Sequence, residues 1–368
     1  MSPVPLPAPD PLPIPGPPGL FHVLWIATFL VHMVFVNLVL GGSALGTLAL
    51  LFGPAGRRER IASFFTEVNG WAVSLAITFG VAPLLFLQVL YGRFFYAATV
   101  LVAWGWLGML VLLIAGYYLT YVAKYRFRAG KGALAPLLAS AVLFLCVAAT
   151  QVTVHLLTVQ PERWPGVSAS PWTALSDRTF VPRFLHFVLA GVSMAALLLA
   201  WKSVRRDPGE GERDAVLADA RFGIRATLVA TVVQLLDGFW LLGVLPTPVL
   251  RSFMKGGAST LVPLTVGIAA GLGLLVVLAG VTDPLSQRKR VRHALELLLG
   301  ATLVMVVTRH QVRDLYLAAA RAGERADVAP QWGGLAVFLA CFALCLGLTV
   351  WIVVKAVKDR PGPGEERA

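Results

Sequence analysis

Nine long apolar runs limit what this chain can fold into. A helix needs about 20 mostly apolar residues to cross the hydrocarbon core of a bilayer. Hydrophobic residues make up 57% of the 368 and charged residues only 14%, a composition typical of polytopic membrane proteins. The sequence therefore predicts an all-α, polytopic membrane helical bundle of about nine transmembrane helices, at about 19–52, 64–90, 96–122, 134–159, 181–201, 222–245, 258–281, 293–310 and 332–355.

Basic residues cluster on one side of these runs. One set of connecting loops, together with the C-terminal segment, carries 21 of the 31 Lys and Arg residues. Cytoplasmic loops are enriched in Lys and Arg, so we expect the N-terminus outside and the C-terminus in the cytoplasm of a bacterial inner membrane. The net charge of +12 then reflects topology, and the expected surroundings are membrane lipid, with no nucleic-acid partner.

The domain organisation follows from the same pattern. Residues 1–18 are proline-rich and predict a periplasmic polyproline II tether, which acts as a spacer or contacts a partner. Residues 19–355 form the transmembrane domain, and residues 356–368 form a cytoplasmic tail. No separate soluble domain is indicated.

Four of the six histidines fall at one predicted depth, near the outer ends of four different spans. They are His22, His155, His186 and His310. Ionisable groups within a membrane are costly and usually functional, and imidazoles at a common level suggest metal or haem ligation. The chain has no C-x-x-C-H motif, so covalent c-type haem is excluded. We therefore predict a transmembrane haem-binding domain with one or more haem b groups.

His186 and His155 flank the same outer loop. His186 lies one turn inside a helix that begins near Pro182, and the small residues after it leave room for a flat ring. A bis-histidine haem between His155 and His186 is one interpretation. The alternatives are a hydrogen bond from His186 to a neighbouring carbonyl, and an interfacial His155 near Trp164.

His22, with His186 and His155, completes the set of predicted metal ligands. His32 follows His22 by ten residues, about 15 Å along a helix, so the two imidazoles cannot share one metal. His32 either serves a different metal or is a buried, hydrogen-bonded histidine.

His310 is predicted to lie beside cofactor-binding arginines. Arg309 and Arg313 are spaced i,i+4, and the guanidinium fork suits carboxylates such as haem propionates. The alternative is a solvated helix end on which Arg313 and Asp314 form a charge cluster.

Two further side chains are candidates for redox chemistry. Asp237 lies deep in the outer half of a span, where it relays protons or binds a quinol hydroxyl, or else pairs with an arginine. Met254 is a candidate axial thioether ligand, or packs at the membrane interface. Gln88, Gln151 and Gln234 either hydrogen-bond a quinone or link helices.

Two stretches resemble subunit I of cytochrome bd-type quinol oxidases. GLFHVLWIATFLVHMVFVNLVLGG resembles the first helix of that subunit, and VPRFLHFVLAGVSMAALLLAWKSVRRD resembles the fifth. The resemblance implies that His186 ligates a low-spin haem b and that His22 ligates a high-spin haem. It also places Asp237 near an acidic segment beyond the sixth helix, and Met254 near the methionine ligand of the family.

The departures from this family bear on activity. The family carries glutamates in its third helix, whereas residues 96–122 contain no Asp or Glu, and its long quinol-binding outer loop is reduced here to about a dozen residues. We therefore expect a bd-like b-type cytochrome subunit of a redox complex. It would pass electrons from a membrane quinol to a periplasmic partner such as a c-type cytochrome. The alternatives are an oxygen-reducing bd-like subunit and a haem-free quinone-binding membrane anchor.

Overall fold

Long helices make up nearly all of the protein. The computed structural model describes residues 6–8, 12–205, 207–209, 211–324 and 327–358. The α-helices in chain order are α1 (Pro18–Phe52), α2 (Arg57–Leu101), α3 (Ala103–Arg128), α4 (Leu134–Val159), α5 (Trp164–Ala169), α6 (Phe180–Val204), α7 (Arg213–Gly243), α8 (Thr247–Lys255), α9 (Ala258–Ala279), α10 (Arg288–Leu317) and α11 (Trp332–Lys358). Short 3₁₀ helices at Pro161–Arg163 and Pro171–Ser176 flank α5.

Within the described ranges, nine of these helices are long and apolar enough to cross a membrane. They are all of the helices except α5 and α8, which lie in connections. The prediction of an all-α polytopic bundle is confirmed, and the protein is a multi-pass membrane protein in contact with lipid.

Helix α2 is much longer than the run that predicted it. Its 45 residues extend over about 67 Å, more than twice the hydrocarbon thickness. The helix contains Pro83 and leaves helical geometry at Tyr91, where φ is −138°. The predicted start of the third span at residue 96 is wrong, because residues 96–101 continue α2 and α3 begins only at Ala103. Hydropathy does not register this break, since both segments are apolar.

Glycine brings α1 and α6 into backbone contact at the centre of the bundle. A Cβ atom built on Gly41 would lie 1.9 Å from the Gly191 carbonyl oxygen. Small residues let membrane helices approach in this way, and van der Waals contact then holds them together. On the neighbouring face of α1, Asn69 of α2 donates from Nδ2 to the Val39 carbonyl at 3.2 Å. Helix α1 therefore lies between α2 and α6.

An ion pair joins α2 to α7 near the start of both helices. Arg60 donates from Nε and Nη2 to the two carboxylate oxygens of Asp219, at 2.6 and 2.7 Å. The Asp219 side chain is only 8% exposed, so this bidentate pair satisfies a carboxylate that would otherwise be buried and unpaired.

The described part of the proline-rich segment lies against the chain that precedes α11. Ile14 donates to the Asp327 carbonyl at 2.8 Å and accepts from Ala329 N–H at 3.0 Å, as an isolated parallel bridge. The structure starts α1 at Pro18, one residue earlier than the predicted boundary. Residues 1–5 and 9–11 of the predicted tether, and 359–368 of the predicted tail, lie outside the described residues.

Candidate functional site

One end of the bundle collects the functional candidates. We call it the histidine end: it is where α1, α6, α9 and α11 begin and where α4, α7 and α10 end. His22, His155, His186 and His310 all lie in these terminal turns. The structure divides them among three sets of contacts, of which the first two share Trp25.

The first set joins α1 to α10. The His22 and His310 rings contact each other with centroids 4.8 Å apart, and Trp25 lies 4.7 Å from His310. His310 is buried, so the interpretation of a solvated helix end does not apply to it. Since the two imidazole rings touch, no porphyrin lies between them in this arrangement.

The second set joins α4 to α10. Arg313 donates from Nη2 to Nδ1 of His155 at 3.3 Å, and both side chains are buried. The Arg313 guanidinium also lies over the Trp25 ring at 4.5 Å. His155 thus acts as an acceptor for an arginine, and no contact between His155 and His186 occurs among the described residues.

The third set joins α6 to α7. His186 Nδ1 donates to Oδ2 of Asp237 at 3.1 Å, and the Asp237 side chain is only 4% exposed. A carboxylate that accepts from Nδ1–H fixes the tautomer in which Nε2 carries the lone pair. The pair therefore presents a basic, oriented imidazole of the kind that ligates metals. The Asp237 contact is with a histidine, not with an arginine.

His186 borders a partly open cavity of about 230 Å³ that is lined by α1, α6, α7, α8, α9 and α10. This volume is several times that of one water molecule, so it suits an organic ligand. Most of its wall is apolar, contributed by side chains such as Phe29, Phe187 and Leu274. Polar contributions come from a few side chains at separate points: Arg183, His186 and Arg309 on one side, and Asn37, Thr231 and Gln234 further along the helices.

Two arginines of this cavity have unsatisfied guanidinium nitrogens. Arg183 has Nε and Nη2, and Arg309 has Nε and Nη1, buried without a hydrogen-bond partner among the described residues. The Arg309 guanidinium lies between the Phe29 and Phe187 rings, 4.9 and 5.9 Å from their centroids. Buried guanidinium nitrogens without hydrogen-bond partners are costly, so these two side chains favour a ligand that carries carboxylate or another anionic group.

These residues fit haem b. An imidazole oriented by Asp237 is a suitable iron ligand, Arg183 and Arg309 suit the propionates, and the apolar wall suits the porphyrin face. The thioethers of Met33 and Met305 also border the cavity and are of the ligand type that completes a haem iron.

Two candidate residues and one helix do not line this cavity. Met254, the candidate axial ligand, is 41% exposed on the short helix α8, and the structure does not bring it to any histidine; its neighbour Phe253 lines the cavity instead. His32 donates from Nδ1 to the Ala76 carbonyl at 2.8 Å, so it is the hydrogen-bonded histidine, and it is partly buried. Helix α3 contributes no side chain to the cavity.

Several residues that line the cavity were not among the candidates predicted from the sequence. Arg183 precedes His186 by three positions and therefore shares its helix face, a signal that was visible in the sequence. Asn37 is a polar residue within an apolar run, which was a second signal. No sequence signal distinguished Met33 and Met305 from ordinary apolar packing.

Comparison with known proteins identifies the fold. No protein-family model matches the sequence, and no curated protein matches it. Among solved structures, the protein is similar to a chain of the bd oxidase from Geobacillus thermodenitrificans, with a TM-score of 0.77 at 12% sequence identity. The match covers 95% of this chain and 100% of that one. The protein is thus a polytopic membrane protein with a bd-oxidase-like fold.

Proposed function

We propose that this protein is a haem b membrane subunit that takes electrons from a quinol and passes them to a redox partner. The observation that carries the proposal is the His186–Asp237 pair beside a cavity whose two arginines have buried guanidinium nitrogens without hydrogen-bond partners among the described residues. The bd-oxidase-like fold supports the same class of protein. Haem iron would supply one-electron chemistry, while the protein supplies the ligand, the charge balance and exclusion from lipid.

Each residue has a specific role in this proposal. His186 would ligate iron through Nε2, and Asp237 would hold the ring and increase its basicity. Arg183 and Arg309 would bind the propionates, and apolar side chains from six helices would pack against the porphyrin. By the predicted orientation, the histidine end faces the periplasm, where a c-type cytochrome or another redox subunit would dock on an inner-membrane complex.

Two amide side chains favour a second candidate function, a haem-free quinone-binding anchor. Asn37 and Gln234 border the same cavity, and Asn37 Oδ1 is buried without a partner among the described atoms. An amide oxygen can accept from a quinol hydroxyl, and an amide NH₂ can donate to a quinone oxygen. An oxygen-reducing role is less well supported, because α3 carries no Asp or Glu.

The proposal is tested by the redox spectrum of full-length protein purified from haem-replete cells into nanodiscs. Dithionite is expected to produce a reduced b-type band, and anaerobic addition of a reduced quinol is expected to produce the same band. Absence of haem would overturn the proposal in favour of the anchor. Haem that dithionite reduces but quinol does not would overturn the quinol step.

The Asp237→Asn variant is expected to raise the midpoint potential of the haem, because a neutral amide donates less electron density through His186. Haem affinity should also fall by roughly 10- to 100-fold, as for other partners of metal-bound histidines. The matched control is Asp219→Asn, near the other end of α7, which contacts Arg60 and should leave the potential unchanged. Equal potentials in wild type and Asp237→Asn would contradict the role of Asp237.

A further inference from the structure

A second group of potential metal ligands lies outside the cavity. His22 of α1 and His310 and Asp314 of α10 each offer one ligand atom, and these three atoms lie within 4.8 Å of one another. Three ligands about 2.1 Å from one ion lie about 3 to 4 Å apart, so small side-chain rotations would complete the geometry. None of these three side chains borders the cavity beside His186.

Two ring nitrogens of this group lack hydrogen-bond partners. Nδ1 of His22 and Nδ1 of His310 are both buried without a partner among the described atoms, and His310 is only 7% exposed. Buried polar atoms in proteins are usually satisfied, so the unpaired Nδ1 of His22 favours a missing ligand. The nitrogen of His310 that lies beside Asp314 is Nε2, and it is the ring atom that would ligate an ion shared with Asp314. The two rings lie with their centroids 4.8 Å apart, too close for a porphyrin between them.

The carboxylate of the group is positioned by a tyrosine. The Tyr91 hydroxyl donates to Oδ1 of Asp314 at 2.5 Å, and Tyr91 is the residue at which α2 leaves helical geometry. A hydrogen bond of this kind orients a ligating carboxylate, leaving Oδ2 free to bind. Oδ2 lies 3.6 Å from Nε2 of His310.

The ligand types select among ions. Arg313 is adjacent to Asp314 in sequence, and its guanidinium lies over Trp25 and Tyr91, at 4.5 and 5.1 Å. Its positive charge opposes every divalent ion equally, but a site with one carboxylate lacks the several oxygen ligands that Mg²⁺ and Ca²⁺ need. Two imidazoles and one carboxylate instead suit divalent transition ions such as Zn²⁺.

We propose that His22, His310 and Asp314 bind one divalent transition-metal ion that clamps α1 to α10 at the histidine end. The Asp314 side chain is 43% exposed, so an ion can enter from the aqueous side. The site needs neither haem nor quinol and is independent of the proposed electron transfer.

The test measures metal and haem separately in the same samples. Chelator-treated full-length protein in nanodiscs is titrated with Zn²⁺ and, in parallel, with Mg²⁺, and bound metal is counted after gel filtration. Wild type is expected to bind one Zn²⁺ per chain and no Mg²⁺. Asp314→Asn, which preserves side-chain shape, and His310→Ala are each expected to weaken Zn²⁺ binding at least about tenfold.

His293→Ala is the matched control. His293 forms an exposed pair with Glu296 on the same helix α10, with Nδ1 and Oε2 2.9 Å apart, so its loss should leave Zn²⁺ binding unchanged. Tyr91→Phe should weaken binding while the fold persists. The proposal is overturned if wild type binds no stoichiometric Zn²⁺ or if folded Asp314→Asn binds it as wild type does. It is also overturned if Asp314→Asn loses haem while its Zn²⁺ content stays the same.

Discussion

The His186→Ala variant is expected to lose the reduced b-type band, with haem per protein falling at least about tenfold. His186 is the histidine that combines a carboxylate partner with a place at the cavity wall. Alanine removes the nitrogen that ligates iron and leaves Asp237 without its 3.1 Å contact. The measurement is the haem-to-protein ratio together with the dithionite-reduced difference spectrum.

Two further variants distinguish loss of the haem ligand from loss of the fold. His32→Ala removes a partly buried histidine that bonds a backbone carbonyl, and it should keep the haem band if the protein folds. His186→Gly supplemented with free imidazole should recover part of the band, because the added ligand can occupy the vacated space. A wild-type haem content in folded His186→Ala would assign the haem to other residues.

The Gly41→Ala variant is expected to lose most of its folded population. The added Cβ would lie 1.9 Å from the Gly191 oxygen and 2.3 Å from its carbonyl carbon, and these are backbone atoms that cannot rotate away. Overpacking of side chains costs about 1 to 3 kcal/mol, and a clash between two helix backbones should reach or exceed the upper value. The measurement is the thermal unfolding midpoint in detergent, with gel filtration to detect aggregation.

Gly273→Ala provides the matched comparison within another spanning helix. A Cβ atom on Gly273 of α9 meets nothing within 4 Å, so this change should leave the unfolding midpoint nearly unchanged. Because α1 and α6 both line the cavity, any folded Gly41→Ala protein should also bind haem more weakly. Equal midpoints for the two variants would contradict the close approach of α1 and α6.

The sequence predicted the number of spans well and their ends less well. Apolar runs identify membrane crossings because the side chains that face the hydrocarbon core must be apolar. Helix ends beyond the membrane carry polar residues, so hydropathy does not detect them. Hydropathy alone covers only 293–310 of α10, which runs from Arg288 to Leu317. The continuation beyond residue 310 was predicted from the sequence LVMVVTRHQVRDLYLAAA, whereas the start at Arg288 was not.

The level of the four histidines along their helices could be predicted from the sequence, but the side chain that each histidine contacts could not. Counting residues along each span places His22, His155, His186 and His310 at one level, since helical rise is constant. Which ring meets which partner depends on the rotation of each helix about its axis. A single sequence does not determine that rotation, so the His186–Asp237 and His155–Arg313 contacts were not predicted. Met254 lies on the short helix α8 and is 41% exposed, which favours the alternative of packing at the membrane interface.

The most direct test of the haem assignment is an experimental density map of the full-length protein from haem-replete cells. The account predicts a flat density in the cavity between α1, α6, α7, α9 and α10, joined to Nε2 of His186 and reaching Arg183 and Arg309 at its edge. A cavity that holds only lipid or quinone, or a porphyrin ligated by other histidines with His186 unligated, would contradict it.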